Sequence, residues 1–399
     1  MLVSLSAYRF LPDLIAMSLV TLVHSGIAWA IFMGRAAQQS QRIRMAIAAA
    51  WAISVTVLAL GFLLRFGRVA RHFPTWAAGW GRGAAFLWAF LSLLLAAAYG
   101  LGLVISHWAA RSHAFHSPGR RRFLGGVRWA LLGVPVVATG YGTFVQRFRL
   151  SVREQSILIP DLPLDLDGLR LAQLTDIHLS PYLSVRELER AVEMANETHP
   201  HVTLVTGDLI TSGADPLDDC LKALARLKAD AGVFGCMGNH EIYAGTEAYT
   251  QAEGARLGMR FLRQQAELLR FGAANLNLAG VDYQRFHTPY LRHAETLTVP
   301  GAFNVLLSHN PDVFPVAAAK GFPLTLSGHT HGGQVRAEIL GQDLNIARFF
   351  TPYVDGLYRI SEGGKDGAAI FVSRGIGTIA LPARLGAPPE VAFLKLCRT

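Results

Sequence analysis

The chain has 399 residues, 51% of them hydrophobic, and a formal charge of +9. Residues 1–150 hold fifteen Arg, no Lys and one acid, Asp13, for +14, whereas the remainder holds 22 basic against 27 acidic side chains, for −5. Arginines scattered between apolar runs are not the clustered cationic face that nucleic acid needs, so no nucleic acid partner is expected; Cys220, Cys236 and Cys397 form no C-x-x-C and exclude a disulfide framework.

Four apolar stretches are expected to cross a membrane, near 14–33, 45–64, 84–105 and 123–144. Each of the first three, Leu14–Met33, Met45–Leu64 and Ala84–Ile105, is uncharged over the roughly 20 residues that a helix needs to span the hydrocarbon core. The fourth carries Arg128 and Pro135, with Arg128 placed to reach the interface. Between them lie Arg35, Arg42 and Arg44, then Arg65, Arg68, Arg71 and Arg82, then Arg111 and Arg120–Arg122. His24 falls inside the first span, where a neutral ring packed on a neighbouring helix is the expected role. Arg120-Arg121-Arg122-Phe123-Leu124 resembles a twin-arginine export signal, displaced from its usual N-terminal place. As an export signal or as a plain cytoplasmic cluster before a span, it puts the C-terminal half on the external, periplasmic side. Arginine counts on the two sides are nearly equal and do not decide the question. The expected domains are a multi-pass transmembrane region, 1–148, and a folded domain, 149–399.

In the second half, short apolar runs alternate with helical patterns. Strands are predicted at 156–160, 169–174, 202–205, 232–237, 275–281, 304–307, 324–326, 370–373 and 391–396. Ser184 is expected to cap a helix running to about Glu197, and further helices are expected at 216–228 and 246–257. The alternation predicts an α/β domain.

Five polar signatures sit in loops, most of them directly after these runs: Asp176-Ile177-His178, Gly207-Asp208, Gly238-Asn239-His240-Glu241, Ser308-His309-Asn310 and Gly328-His329-Thr330-His331. Asp176 and His178 alternate along the backbone, as do His329 and His331, so each pair can face one side. Asp208 can set a carboxylate between two ions. The neighbouring glycines let the backbone turn and approach closely. A mixed oxygen and imidazole set accepts manganese, iron or zinc.

The ordered set closely resembles the calcineurin-like metallophosphoesterases, over roughly residues 150–399. The longer Gly328-His329-Thr330-His331-Gly332-Gly333-Gln334 form resembles their bacterial membrane-associated branch. The resemblance implies a four-layer α/β/β/α sandwich preceded by the transmembrane region, and two divalent metal ions. It assigns one ion to Asp176, His178, Asp208 and His331 and the other to Asp208, Asn239, His309 and His329, with Asp208 bridging. His240 would stand near the leaving group as the catalytic residue, and Glu241 would orient a neighbour. No ligand position is substituted, which argues against a non-catalytic relative.

The implied activity is a membrane-anchored phosphoesterase, a phosphodiesterase by expectation, in which a metal-bridging hydroxide attacks phosphorus. The expected partners are the lipid bilayer and a phosphate ester that is lipid- or envelope-associated. One rival is hydrolysis of a nucleotide-linked lipid precursor pyrophosphate, which requires the site to face the cytoplasm. Another is a sensor that binds phosphate ligands without turnover. A third, a transporter with a fused phosphatase, finds few polar groups in the spans to work with. Arg374 and the 283–290 loop are further candidates to reach a substrate, and Asn310 is expected to shape the loop beside His309.

Overall fold

A computed structural model describes residues 15, 17–29, 32–33, 40–110, 118–285, 289–339, 342–362 and 365–399. Asp13, Leu14, Arg35, Arg111 and residues 286–288 of the 283–290 loop lie outside the described residues. The chain divides into two compact units, Met1–Thr143 with Ala380–Pro382 and Phe144–Ile379 with Ala383–Thr399.

The first unit is helical. Gln41–Leu63 and Thr75–Trp108 are long and apolar enough to cross a membrane, and Met17–Trp29 is a shorter apolar helix. Large apolar side chains are exposed along them, among them Met45, Trp51, Ile53, Leu60, Leu101 and Leu103. A helix with apolar residues all round suits lipid rather than water. The helix expected from residue 84 begins at Thr75, so it takes in Arg82. The fourth expected span falls within the helix Pro118–Phe144, with Pro135 inside it. Ser40 caps Gln41–Leu63, accepting from the Ile43 N–H. Trp88 Nε1 donates to Ser54 Oγ at 2.7 Å and its ring stacks with His24 at 6.2 Å, the packed-histidine role expected from sequence.

The second unit is built on two six-stranded sheets. Its strands are β1 (Ser151–Ile159), β2 (Arg170–Leu174), β3 (Val202–Thr206), β4 (Val233–Cys236), β5 (Met259–Phe261), β6 (Gln265–Phe271), β7 (Ala274–Gly280), β8 (Phe303–Leu307), β9 (Leu324–Ser327), β10 (Arg336–Ile339), β11 (Gln342–Asn345), β12 (Gly356–Glu362), β13 (Lys365–Val372) and β14 (Glu390–Arg398). One sheet has the order β1-β14-β2-β3-β4-β5 and the other β12-β13-β9-β8-β7-β6; β10 and β11 form a separate hairpin.

The strand period of two separates the layers. Leu171, Leu204, Phe234 and Leu394 of the first sheet meet Leu278, Val305, Leu326 and Phe371 of the second in one buried core. Their alternates Ala172, Leu174 and Val205 pack outward on Leu188, Val192 and Leu221 of helices Val185–Glu197 and Leu217–Leu224. On the far side Ala279 and Leu306 pack on Val313, Ala317 and Phe322. The result is helix, sheet, sheet, helix, the layering the resemblance implied. Both faces of each sheet are covered, so the strands read as near-continuous apolar runs.

β2, β3 and β4 run parallel, as do β7, β8 and β9. All the signature loops therefore leave their strands at carboxyl ends, where open α/β sheets place ligands.

Candidate metal centre

Asp176 and His178 follow β2, Asp208 follows β3, and Asn239 with His240 opens the short helix Asn239–Ala244 after β4. His309 follows β8, and His329 with His331 follows β9. The loops are stitched to one another: Asp176 N donates to Gly207 O at 3.1 Å, and His178 N to Asp208 O at 3.0 Å. His329 N donates to both Asp176 carboxylate oxygens at 3.0 Å, and His240 N to Asp208 Oδ1 at 2.9 Å.

Asp176, His178, Asp208, His329 and His331 all adopt left-handed backbone, with φ from 47° to 76°. Side chains with a Cβ seldom occupy that region, and strain of this kind collects at functional sites. It is sustained by close backbone approach. A Cβ on Gly328 would lie 2.3 Å from Asp176 Oδ2, and one on Gly238 would lie 2.1 Å from Asp208 Oδ1.

The side chains converge on one buried volume. His178 Nε2 is 3.1 Å from His331 Nε2, which is 3.2 Å from Asp176 Oδ1. Asp208 Oδ2 is 3.0 Å from His309 Nε2 and 3.4 Å from His178 Nε2. Three overlapping groups bring ligand atoms within 4.8 Å of one another: Asp176, His178 and His331; His178, Asp208 and His240; Asp208, His309 and His329. Distance alone thus admits His240 beside the ligands as well as among them.

Hydrogen bonds aim the rings. His309 Nδ1 donates to Thr206 O at 2.7 Å, which turns Nε2 toward Asp208. His240 Nδ1 donates to Thr211 O at 2.6 Å. His178 Nδ1 contacts Thr211 Oγ1 at 3.2 Å. A carbonyl or hydroxyl behind each ring is how proteins fix metal-binding imidazoles. One buried acceptor in the cluster, Asn239 Oδ1, has no hydrogen-bond partner. Unpartnered buried lone pairs cost free energy unless a cation or donor meets them, so the residues fit a pair of divalent ions.

The electrostatics agree. Burial lowers His178 to about 3 and His329 to about 4, and it pushes His331 well below its ordinary value. These rings are neutral donors at physiological pH. Burial raises Asp176 to about 6. Burial opposes charge on Asp208 and His309 as well, but their mutual attraction wins. Asp208 is held well below the carboxylate range, and His309 rises to about 10. A metal must therefore displace the His309 proton at any pH below about 10, so affinity climbs as pH rises. Chelator-stripped protein titrated with Mn²⁺ at pH 8 is expected to release about one proton per chain, with affinity gaining up to tenfold per pH unit. Calorimetry in two buffers of different ionisation enthalpy measures this; zero proton release at pH 8 would contradict it.

Glu241 has the orienting role expected of it. Fully buried, it accepts from Asp208 N at 2.9 Å, Gly238 N at 2.8 Å and Leu209 N at 2.8 Å, fixing the turn that presents Asp208. Asn310 shapes its loop, with Oδ1 accepting from Asp312 N and Nδ2 donating to Gln284 O. Tyr283 reaches the cluster, its hydroxyl 3.4 Å from His329 Nε2. Arg374 is turned to Asp355 at 2.7 Å instead. His201 accepts from Arg170 N, a structural role.

Sequence reasoning missed Arg384. It is fully buried, donates to the carbonyls of Gly377, Ala387 and Arg374, and lies 3.5 Å from His331 Nδ1. Burial lowers its pKa to about 10. Nothing local in Pro382-Ala383-Arg384-Leu385 distinguishes it from a surface arginine.

Residues 169–333 match the calcineurin-like phosphoesterase family profile, so the chain carries a domain of the calcineurin-like metallophosphoesterases, a family of metal-dependent phosphoester hydrolases. Among curated relatives, it is 28% identical over 288 residues to the uncharacterized metallophosphoesterase YkuE of Bacillus subtilis, covering 70% of this chain and 98% of that one. It is 30% identical to the uncharacterized metallophosphoesterase Cj0846 of Campylobacter jejuni, covering 62% of this chain and 63% of that one. It is also 30% identical to a Danio rerio protein described as a transmembrane protein with metallophosphoesterase domain, covering 62% of this chain and 57% of that one. The chain thus spans about three fifths of the length of the last two.

Proposed function

We propose that the chain is a membrane-anchored, two-metal phosphodiesterase, with residues 1–148 as a four-span membrane region and 149–399 as the catalytic domain. Asp176, His178, Asp208 and His331 hold one ion; Asp208, Asn239, His309 and His329 hold the other. The observation that carries this reading is the meeting of buried carboxylates and imidazoles from five loops, with the buried Asn239 Oδ1 among them lacking any hydrogen-bond partner.

Bound there, two divalent cations supply Lewis acidity toward the phosphoryl group and acidify water. The chain's own residues do the rest. Thr206 and Thr211 hold the His309 and His240 rings in one tautomer. With Nδ1 committed to Thr211, Nε2 of His240 is the nitrogen free to pass a proton to the leaving oxygen. Glu241 and the glycine turns keep Asp208 between the two ligand sets. The nearby cations Arg374 and Arg384 are committed to Asp355 and to carbonyls. Positive charge for the substrate therefore comes from the metals, which suits a singly charged phosphodiester better than a monoester dianion.

Manganese, iron and zinc all suit the ligand set. The arginine triplet before the last span favours an external, periplasmic catalytic domain, acting on a lipid- or envelope-associated ester. The purified full chain is expected to hydrolyse bis(p-nitrophenyl) phosphate when supplied with Mn²⁺. Silence with Mn²⁺, Fe²⁺ and Zn²⁺ alike would overturn the proposal.

A further inference from the structure

The segment following the His329/His331 loop carries a surface that phosphoester chemistry does not use. Leu344, Ile346, Phe349 and Phe350 are exposed by 55%, 61%, 88% and 78%. Single exposed apolar residues are ordinary, but four on seven consecutive positions, two of them adjacent phenylalanines, form a patch.

The patch is held at both ends by residues that belong to the metal loops. Asn345 is buried, and its Nδ2 donates to Gly332 O at 3.2 Å, next to His331. Its Oδ1 accepts from Ala347 N at 3.0 Å and starts the turn Ile346–Phe349. At the other end Thr351 is buried and its Oγ1 donates to Asp312 Oδ1 at 2.6 Å. Asp312 N donates in turn to Asn310 Oδ1 at 2.9 Å, next to His309. Arg348 pairs with Asp343 at 3.0 Å, which neutralises the charge on the strip. The apolar side chains are thus displayed from the rim of the metal centre by anchors on both of its histidine loops.

The occupant follows from size and from the rest of the chain. A stable protein–protein interface uses about 20–30 residues a side, and four do not approach that. A bilayer interface demands no matching shape and accepts phenylalanine and leucine side chains. This chain's own apolar helices Gln41–Leu63 and Thr75–Trp108 keep a bilayer at high effective concentration. Resting on the membrane-anchored reading above, we propose that Leu344, Ile346, Phe349 and Phe350 form a docking strip that enters the bilayer interface and holds the rim of the metal centre at headgroup level. The substrate class that fits is a phosphate ester whose phosphorus lies in that layer.

The test uses the full chain in nanodiscs of phosphatidylcholine and phosphatidylglycerol. A nitroxide is placed through Phe349→Cys in a Cys397→Ser background, Cys220 and Cys236 being buried. The control label is at Leu268→Cys, on the exposed edge strand β6. Power saturation is expected to show the label at 349 reached by oxygen and shielded from a water-soluble nickel complex, and the label at 268 open to nickel. Equal nickel access at both sites, or shielding of 349 from both reagents as a protein cover would give, overturns the proposal.

A second arm compares the double variant Phe349→Ser/Phe350→Ser with the parent on two substrates bearing one chromophore. Turnover of soluble bis(p-nitrophenyl) phosphate is expected to be unchanged, and turnover of the p-nitrophenyl ester of phosphatidic acid in the same nanodiscs to fall about tenfold. Equal rates on the lipid ester overturn the proposal, as does a parallel loss on both substrates. Insertion of the label with no hydrolysis of either substrate by the parent would instead remove the phosphodiesterase reading and leave the strip standing.

Discussion

Asp208→Asn is expected to lower phosphodiester turnover by about 10³-fold or more, equivalent to about 4 kcal/mol of transition-state stabilisation. The substitution keeps size and shape. An amide oxygen can still accept from His240 N, as Oδ1 now does at 2.9 Å. What it removes is the negative charge at Oδ2, the atom closest to both His309 and His178. In the proposed assignment that carboxylate is the ligand shared by the two sets, so its loss is expected to weaken both ions at once. His309, deprived of its partner, sheds its proton at lower pH, and no unpaired buried cation remains to unfold the domain. Metal content should therefore fall below two per chain while the circular dichroism spectrum is unchanged. Parent-like kcat with two metals retained would remove Asp208 from the mechanism.

His240→Ala should reduce kcat by about 10²–10⁴-fold, the usual worth of a placed proton donor. The loss should depend on the leaving group. Nitrophenolate leaves without help, so the effect with an aryl ester should be small; an alkyl leaving oxygen needs the proton and should show all of it. Metal content decides between the two roles that geometry admits for this ring, since His240 lies within reach of His178 and Asp208. Two ions retained means a group acting on the leaving oxygen. Loss of one ion means a ligand, and the assignment would be revised.

Much of the candidate site was legible in the sequence, for a physical reason. Each signature is a local backbone device: a strand end, a turn and a residue with lone pairs. Asp176-Ile177-His178 and Gly328-His329-Thr330-His331 carry their geometry within three or four residues. The apolar runs of β2, β3, β4, β8 and β9 were equally plain, because strands covered on both faces carry few polar residues. The helix from Ser184 was announced by its N-cap serine, and the structure completes the cap as a box with Glu187.

What was illegible depends on distant partners. β6 reads Gln265-Ala266-Glu267-Leu268-Leu269-Arg270-Phe271, mostly exposed at a sheet edge, and β5 is only three residues long. Neither offers a run that stands out. β14 inserts between β1 and β2, and pairs Ser151 with Glu390 across the chain; no local pattern encodes that return. Arg384 contradicts composition itself, since arginine is almost never fully buried, and only the assembled carbonyls of Gly377, Ala387 and Arg374 make its place acceptable. The turn Ile346–Phe349 hid in the same way: its apolar residues would have read as core, and the fold leaves them outside.

The most direct test of the whole account is the metal itself. Full-length protein loaded with Mn²⁺ should contain two ions per chain by elemental analysis. Anomalous diffraction should place one among Asp176, His178, Asp208 and His331, the other among Asp208, Asn239, His309 and His329, with Asp208 touching both. A single ion, none, or two ions that do not share Asp208 would contradict it.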